Sequence, residues 1–180
     1  MIIVVDNGKG SREISGFLRS KSQIIKPGEI KGGSAFVLSD GRVDGSSKKS
    51  IDKLLEKTGS PVLGIGAGMG YILSFYGAQL GESKASQKQE SVSMKKPSPI
   101  LLDFKRMFSV VKSSSCVVKE VPENFSVHAS SKSCEFEVVQ EMEKPFFGVH
   151  FNPELGQDGL QILRNFEKFI EIWEKYHKGN

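Results

Sequence analysis

The chain has 180 residues, of which 38% are hydrophobic and 26% charged, a composition typical of a globular protein with one large core. The net charge is +4, but the lysines are spread along the chain without interleaved aromatic residues, so nucleic-acid binding is not predicted. No segment approaches the roughly 20 apolar residues of a membrane span. The apolar run Ile2–Val5 ends at Asp6 with no basic segment before it, so no signal peptide is predicted. We therefore expect one domain, residues 1–180, in the cytoplasm.

The first 65 residues alternate between short apolar runs and amphipathic segments. Runs of four or fewer apolar residues are typical of strands that are buried on both faces. Apolar residues three or four positions apart indicate two helices in this part of the chain. Ser11 is expected to cap the first helix, and the second helix is expected to end at Gly59. The predicted order is strand 2–5, a helix from 11, strand 24–25, strand 35–38, helix 47–58 and strand 62–65. This order predicts a parallel sheet with helices on both faces.

The second half is richer in short β-like runs. The polar segment 84–99 is predicted to be an exposed excursion or a mobile hairpin. Five β-like runs follow, at 108–111, 117–121, 125–129, 136–139 and 146–151. A last helix is predicted from about Asp158, with an apolar face made by Leu160, Leu163, Phe166, Ile170 and Trp173.

The segment Pro61–Ile72, PVLGIGAGMGYI, is typical of a buried strand that runs through a tight turn into a helix. Such turns often present a nucleophile at the N-terminal end of the helix, yet this one contains no Cys, Ser or Thr. A dinucleotide-binding GxGxxG pattern fails, because Met69 or Tyr71 stands where a glycine is required. Taken alone, the glycines are equally compatible with close packing of a helix against a strand.

The segment 147–154, FGVHFNPE, resembles the G-V-Q-F-H-P-E segment of class I glutamine amidotransferases. In that family the turn reads G-I-C-x-G-H-Q, which residues 64–70 match position by position, and the loop I-L-S-G-G-P corresponds to 37–42. The order is kept over nearly the whole chain. Within the family, the glutaminase subunit of two-subunit GMP synthases is most similar, on the segments 121–131, 144–145 and 163–166 and on Cys134. The resemblance implies an α/β, flavodoxin-like three-layer sandwich with a mostly parallel central sheet and an added antiparallel portion.

The resemblance also implies a catalytic triad, of which only one member is present. The family hydrolyses glutamine with a Cys nucleophile, a His base and a Glu that orients the His. The matching positions here are Gly66, Asn152 and Glu154. Glycine has no side chain that could attack a carbonyl, and the amide of Asn152 cannot act as a general base.

The surrounding positions also depart from the family's pattern. The positions that form the family's oxyanion hole match Asp40, Gly41 and Ala67. The positions that form the family's substrate pocket match Gly70, Ser113 and His150. An inward-pointing carboxylate at Asp40 would repel a developing oxyanion. Gly70 replaces the Gln that helps to hold the substrate, and the His of the family's S-H-x-D/E segment is absent from 112–116. We therefore predict a catalytically degenerate, non-catalytic or regulatory homologue of the GMP synthase glutaminase subunit.

Alternative functions remain open at this point. One alternative is an active glutamine amidotransferase or hydrolase with a relocated nucleophile, for which Cys116 is a candidate. His150 either approaches the position of the family's substrate pocket or is a hydrogen-bonded, half-buried histidine. A third hypothesis is a small-molecule sensor that uses the pocket emptied at Gly66 and Gly70. The expected partner is a synthetase (ATP pyrophosphatase) subunit or another protein. No cofactor is predicted, and no metal site, because Cys116 and Cys134 lack metal-binding spacing.

Overall fold

The structure is a computed structural model and describes residues 1–177. Its helices are α1 (Ser11–Phe17), α2 (Gly45–Lys57), α3 (Ala67–Phe75) and α4 (Leu160–His177). Its strands are β1 (Ile2–Val5), β2 (Gly8–Lys9), β3 (Ser22–Ile25), β4 (Ala35–Leu38), β5 (Asp40–Gly41), β6 (Val62–Ile65), β7 (Leu80–Glu82), β8 (Lys88–Met94), β9 (Met107–Lys112), β10 (Cys116–Val118), β11 (Phe125–Ser131), β12 (Val138–Glu141) and β13 (Phe146–Val149). Across residues 1–177, no helix combines the length and the apolar character needed to span a membrane.

Nine of these strands form one central sheet in the order β3-β1-β4-β6-β13-β12-β11-β8-β9. The first five pair in parallel, and from β13 onward each neighbouring pair is antiparallel. The predicted α/β class, with a mostly parallel sheet and an added antiparallel portion, is confirmed. Strands β6 and β13 are neighbours in the middle of the nine-stranded sheet, and they lead into two of the segments that the family resemblance singled out, 64–70 and 147–154.

Helices cover both faces of the parallel strands, as predicted. On one face α1 and α4 pack through buried residues such as Ile14 and Phe166. On the other face α2 and α3 pack through Leu55 and Met69, among others. Every residue of β1, β4, β6 and β13 is buried, which explains why these strands are short continuous apolar runs without alternation.

Three predicted helix boundaries need correction. Ser11 is the first residue of α1, and its cap is Gly10, which has a φ of 79° and offers no side chain to the helix. Helix α2 begins at residue 45, because the Asp44 carboxylate accepts hydrogen bonds from two N–H groups of the first turn. Thr58, and not Gly59, is the C-cap of α2.

The prediction for segment 84–99 is wrong for its middle part. Residues 88–94 form β8, which lies between β9 and β11 in the central sheet. Val92 is the only residue of β8 that is buried, and the other six are polar or partly exposed. Backbone hydrogen bonds to β9 and β11 hold this strand at the solvated end of the sheet. Its sequence therefore lacks the apolar run that marks a buried strand.

Candidate functional site

Strand β6 and helix α3 meet at Gly66, which has a φ of 54° and a ψ of −113°. This positive φ strongly favours glycine over any residue with a Cβ atom. Two residues later, a Cβ atom on Gly68 would lie only 2.1 Å from the carbonyl oxygen of Leu38. Both interpretations of the glycine-rich segment therefore hold: position 66 forms a sharp turn, and position 68 allows close packing of α3 against β4.

The carboxylate of Asp40 fills the space in front of Gly66. Asp40 is 1% exposed, and its Oδ1 atom accepts hydrogen bonds from the N–H of Ala67 at 2.9 Å and from the hydroxyl of Ser114 at 2.7 Å. A Cβ atom added to Gly66 would lie 2.3 Å from Oδ1 and 2.5 Å from Cγ of Asp40. A side chain at position 66 and the carboxylate in this position exclude each other.

Asn152 connects that carboxylate to Glu154. The side chain is fully buried, and its Nδ2 atom donates to Oδ2 of Asp40 at 3.1 Å and to Oε1 of Glu154 at 3.0 Å. Its Oδ1 atom accepts from the N–H of Ser113 at 2.7 Å. Both amide hydrogens are thus directed at carboxylates, and an amide does not exchange a proton near neutral pH. Glu154, Asn152 and Asp40 thus form one hydrogen-bonded row with a non-titrating amide at its centre.

Two acidic groups therefore share one buried site, and this changes the ionisation of Glu154. Burial, with a smaller contribution from the negative charge of Asp40, raises the pKa of Glu154 to about 7. Lys9 partly compensates the charge, since its Nζ atom lies 3.8 Å from Oδ2 of Asp40. Lys9 reaches the site because β2 pairs with β5, which places it opposite Asp40, and its ammonium donates to the carbonyl of Ser113 at 2.5 Å.

The expectation of an emptied substrate pocket is wrong at both glycines. The space at Gly66 is filled by Asp40, as described above. A Cβ atom on Gly70 would lie 2.6 Å from Sγ of Cys116 and 3.3 Å from a methyl carbon of Leu80. The Cys116 thiol therefore occupies the volume next to Gly70, and a cavity of about 380 Å³ remains on the outer side of Cys116 and Leu80.

The environment of Cys116 is unsuited to a relocated nucleophile. The residue is 4% exposed, and burial, aided by the charges of Asp40 and Glu82, raises the pKa of its thiol to about 11. His150 lies nearby, but its Nε2 atom donates to the carbonyl oxygen of Cys116 at 2.9 Å and not to the sulfur. A protonated, buried thiol without a base is inert near neutral pH.

The structure brings together most of the residues singled out from the sequence. Gly66, Ala67, Asp40, Asn152 and Glu154 form one hydrogen-bonded group with Gly66 at its edge. Gly41 forms β5 with Asp40, Ser113 binds Asn152, and Gly70 adjoins Cys116. His150 is the exception, because its hydrogen bond is to Cys116 and its other nitrogen faces Glu137. Sequence reasoning missed two members of the site, Lys9 and Ser114. Ser114 lies in segment 112–116, and the absence of the family's His from that segment was a signal that could have drawn attention to it.

Comparison with known proteins decides the family. Residues 14–169 match the profile of glutamine amidotransferase class-I. The chain belongs to this family. The class I glutamine amidotransferase assignment agrees with the position of Gly66 at the strand-to-helix turn and with Asn152 and Glu154 beyond the last strand of the sheet.

Among class I glutamine amidotransferases, the curated relatives with high similarity include subunits of glutamine-hydrolyzing GMP synthase. The one from Methanocaldococcus jannaschii is 34% identical over 143 residues, which cover 78% of this chain and 74% of that protein. The protein of the same name from Methanococcus aeolicus is 31% identical over 150 residues, covering 82% and 78%. A crystal structure from Thermoplasma acidophilum, described provisionally as the same GMP synthase subunit, shares the fold with a TM-score of 0.89 at 24% identity, over 98% of this chain and 96% of that one.

Proposed function

We propose that this protein is a non-catalytic homologue of the GMP synthase glutaminase subunit. The observation that carries the proposal is the Asp40 carboxylate, which fills the space in front of Gly66 and accepts the N–H of Ala67. In an acting glutaminase, the resemblance assigns that space to the nucleophile and that N–H to the oxyanion. One side chain thus blocks both requirements at once.

The remaining chemistry supports the same proposal. Attack on an amide carbon requires a nucleophile, a group that takes its proton, and donors for the oxygen that becomes charged. Gly66 offers no nucleophile, and Asn152 offers an amide that is already bonded to two carboxylates. Loss of the nucleophile alone typically costs about a millionfold in turnover, after which replacement of the base carries little further cost.

A binding role is the function that the retained features favour. The similarity to the two archaeal GMP synthase subunits extends over about three quarters of both chains, and the relatives' name describes one subunit of a larger enzyme. We propose that this protein binds a synthetase (ATP pyrophosphatase) subunit, or a related protein, and regulates it without supplying ammonia. Cys116 and Cys134 are both free, which suits the reducing cytoplasm.

A glutamate-release assay tests the absence of catalysis. The purified protein, with and without the synthetase subunit of its own organism, is expected to release no glutamate from glutamine above the buffer rate. The variants Cys116→Ser and Cys134→Ser serve as controls for a relocated nucleophile. Turnover that disappears in Cys116→Ser would establish that alternative, and turnover that survives both substitutions would contradict the proposal through an unforeseen catalyst.

Calorimetric titration separates loss of catalysis from loss of substrate binding. Glutamine is expected to give no heat with the native chain, because Asp40 and Cys116 occupy the volume of its reacting end. Titration with the synthetase subunit is expected to show one binding event. Absence of that binding would contradict the partner, whereas tight glutamine binding would instead support the small-molecule sensor.

A further inference from the structure

Outside the Asp40 site, three metal-ligating side chains converge where β12 begins and β13 ends. Cys134 and Glu137 precede β12, and His150 follows β13 directly. The sulfur of Cys134, a carboxylate oxygen of Glu137 and a ring nitrogen of His150 all lie within 4.8 Å of one another. A main-chain hydrogen bond holds His150 next to Glu137, because the N–H of His150 donates to the carbonyl of Glu137 at 2.9 Å.

Two atoms of this group are buried with unused hydrogen-bonding capacity. The side chain of Glu137 is 0% exposed, and its Oε1 atom accepts from Lys112 at 2.5 Å and from Ser131 at 2.6 Å. Its Oε2 atom has no hydrogen-bond partner among residues 1–177, and neither has Nδ1 of His150. The two atoms face each other at 3.8 Å, which is beyond hydrogen-bonding distance.

The tautomer of His150 explains why this arrangement is unfavourable as it stands. Its Nε2 atom donates to the carbonyl oxygen of Cys116, so a neutral ring carries its proton there and presents a lone pair at Nδ1. Two buried acceptors then face each other and repel, and a cation between them would convert both into ligands.

We propose that Cys134, Glu137 and His150 bind one zinc ion. A thiolate, an imidazole and a carboxylate are the donor types that zinc takes in tetrahedral sites. Usual zinc bond lengths and a tetrahedral angle place ligand atoms about 3.4 to 3.6 Å apart. The 3.8 Å between Glu137 and His150 is close to this spacing. Because no two ligand atoms of the group are more than 4.8 Å apart, no pair has to approach by more than about 1.4 Å to reach it. The carbonyl that fixes the outer N–H of His150 is the support that metal-binding histidines typically have.

Charge and access are also suitable for a metal ion. Three lysines, Lys84, Lys88 and Lys112, line the adjoining cavity. Lys112 is already paired with Glu137 Oε1 at 2.5 Å and with Glu90 at 3.5 Å, and Lys88 is paired with Glu90 at 3.3 Å. A cavity of about 490 Å³ reaches Cys134, His150 and Ser114 from the surface, so an ion can enter and a water molecule can take the fourth position. On binding, the thiol of Cys134 loses its proton to solvent, which makes the affinity increase with pH.

Cobalt titration of the full chain tests the site. After treatment with a chelator, the protein is titrated with Co²⁺ and its absorption recorded. We expect one equivalent to bind with a thiolate-to-cobalt charge-transfer band and strong tetrahedral bands in the visible region, and Zn²⁺ to displace it. Zn²⁺ should also raise the melting temperature, since it binds the folded chain. A parent protein that binds no Co²⁺, or that binds it without a thiolate band, would overturn the proposal.

Two variants test proposed ligands, and a third serves as the control. Cys134→Ser should abolish the thiolate band, and His150→Gln should weaken binding by at least about 100-fold, beyond the 10–100-fold typical of losing a supporting outer partner. Cys116→Ser is the matched control, because its thiol points at Gly70 and not at the group, and it should retain both band and affinity. A band that persists in Cys134→Ser, or equal affinities in His150→Gln and the parent, would refute this ligand set.

Discussion

The Asp40 carboxylate should make any side chain at position 66 costly, and Gly66→Ala tests this most directly. The new Cβ atom would lie 2.3 Å from Oδ1, whereas ordinary contacts begin at 3.4 Å. The carboxylate must therefore retreat by about 1.1 Å, which stretches its 2.9 Å hydrogen bond from the N–H of Ala67 to about 4 Å and breaks it.

The expected magnitude has two parts. Loss of a hydrogen bond to a charged group costs about 1.5–3 kcal/mol, and a Cβ atom at a φ of 54° adds strain of about 1–3 kcal/mol. Gly66→Ala should thus lower the free energy of unfolding by about 2.5–6 kcal/mol in the native chain. With Asp40→Ala already present, the strain remains together with a 2.8 Å contact to the Ser114 hydroxyl, which can rotate away. The coupling between the two substitutions should therefore be about 1.5–3 kcal/mol.

A double-mutant cycle measures this coupling. Urea unfolding of the parent, the two single variants and the double variant is followed by circular dichroism. Gly16→Ala is the matched control, because nothing lies within 4 Å of its added Cβ atom, and its effect should be additive with that of Asp40→Ala. A Gly66–Asp40 coupling below about 0.5 kcal/mol, the range of independent sites, would show that the carboxylate does not occupy the space in front of Gly66.

Three further predictions concern the same site. The pKa of Glu154 rises from 4.5 to about 7 on folding, so Glu154 ionises at a lower pH in the unfolded chain than in the folded chain. The free energy of unfolding should therefore fall by about 3 kcal/mol between pH 4.5 and 7. Urea titrations at each pH should show this fall in the parent and not in Glu154→Gln. Cys116, with a pKa of about 11, should resist iodoacetamide at pH 7.5 in the folded chain, and rapid labelling detected by mass spectrometry would contradict its burial. The triple variant Asp40→Gly, Gly66→Cys, Asn152→His should gain a thiol that labels readily near pH 7, because the N-terminal end of a helix lowers its pKa; glutamine turnover should stay at background, since the Cys116 thiol still fills the pocket, and rapid turnover would refute that reason.

The sequence predicted the parallel half of the sheet well and the antiparallel half less well. Strands β1, β4, β6 and β13 are buried on both faces, so burial leaves a continuous apolar run that is visible in the sequence. Strand β8 has one buried residue, Val92, and is defined by its neighbours across the sheet. Long-range backbone pairing of this kind leaves almost no local pattern, and segment 84–99 was accordingly predicted as an excursion.

The candidate site shows a second limit of sequence reasoning. The family pattern located Asp40, Gly66 and Asn152, and it also indicated that an inward carboxylate would oppose oxyanion chemistry. It could not give the direction of the Asp40 side chain, which depends on hydrogen bonds from Ala67 and Ser114. The sequence also predicted an open pocket at Gly66 and Gly70, which have no side chain. A sequence does not show which neighbouring side chains fill such a space, and here they are Asp40 and Cys116.

The proposed zinc group was missed for a related reason, and the prediction of no metal site followed from local spacing. Cys134 and Glu137 are three residues apart, but His150 is thirteen residues further on. The pairing of β12 with β13 brings these positions together. No short ligand pattern exists in the sequence, so only the three-dimensional arrangement suggests a site.

The mutual exclusion of Asp40 and a side chain at position 66 has a consequence for the history of the chain. A lineage that acquired Gly66→Cys first would insert a Cβ atom 2.3 Å from the carboxylate and lose stability without gaining a reaction. A lineage that lost Asp40 first would have an open site with nothing in it to react. Both first steps give natural selection no activity to favour, and most single substitutions already lower stability by about 1 kcal/mol. Under the proposed function, the packing of the Asp40 side chain against Gly66 would make loss of glutaminase chemistry much easier than its recovery.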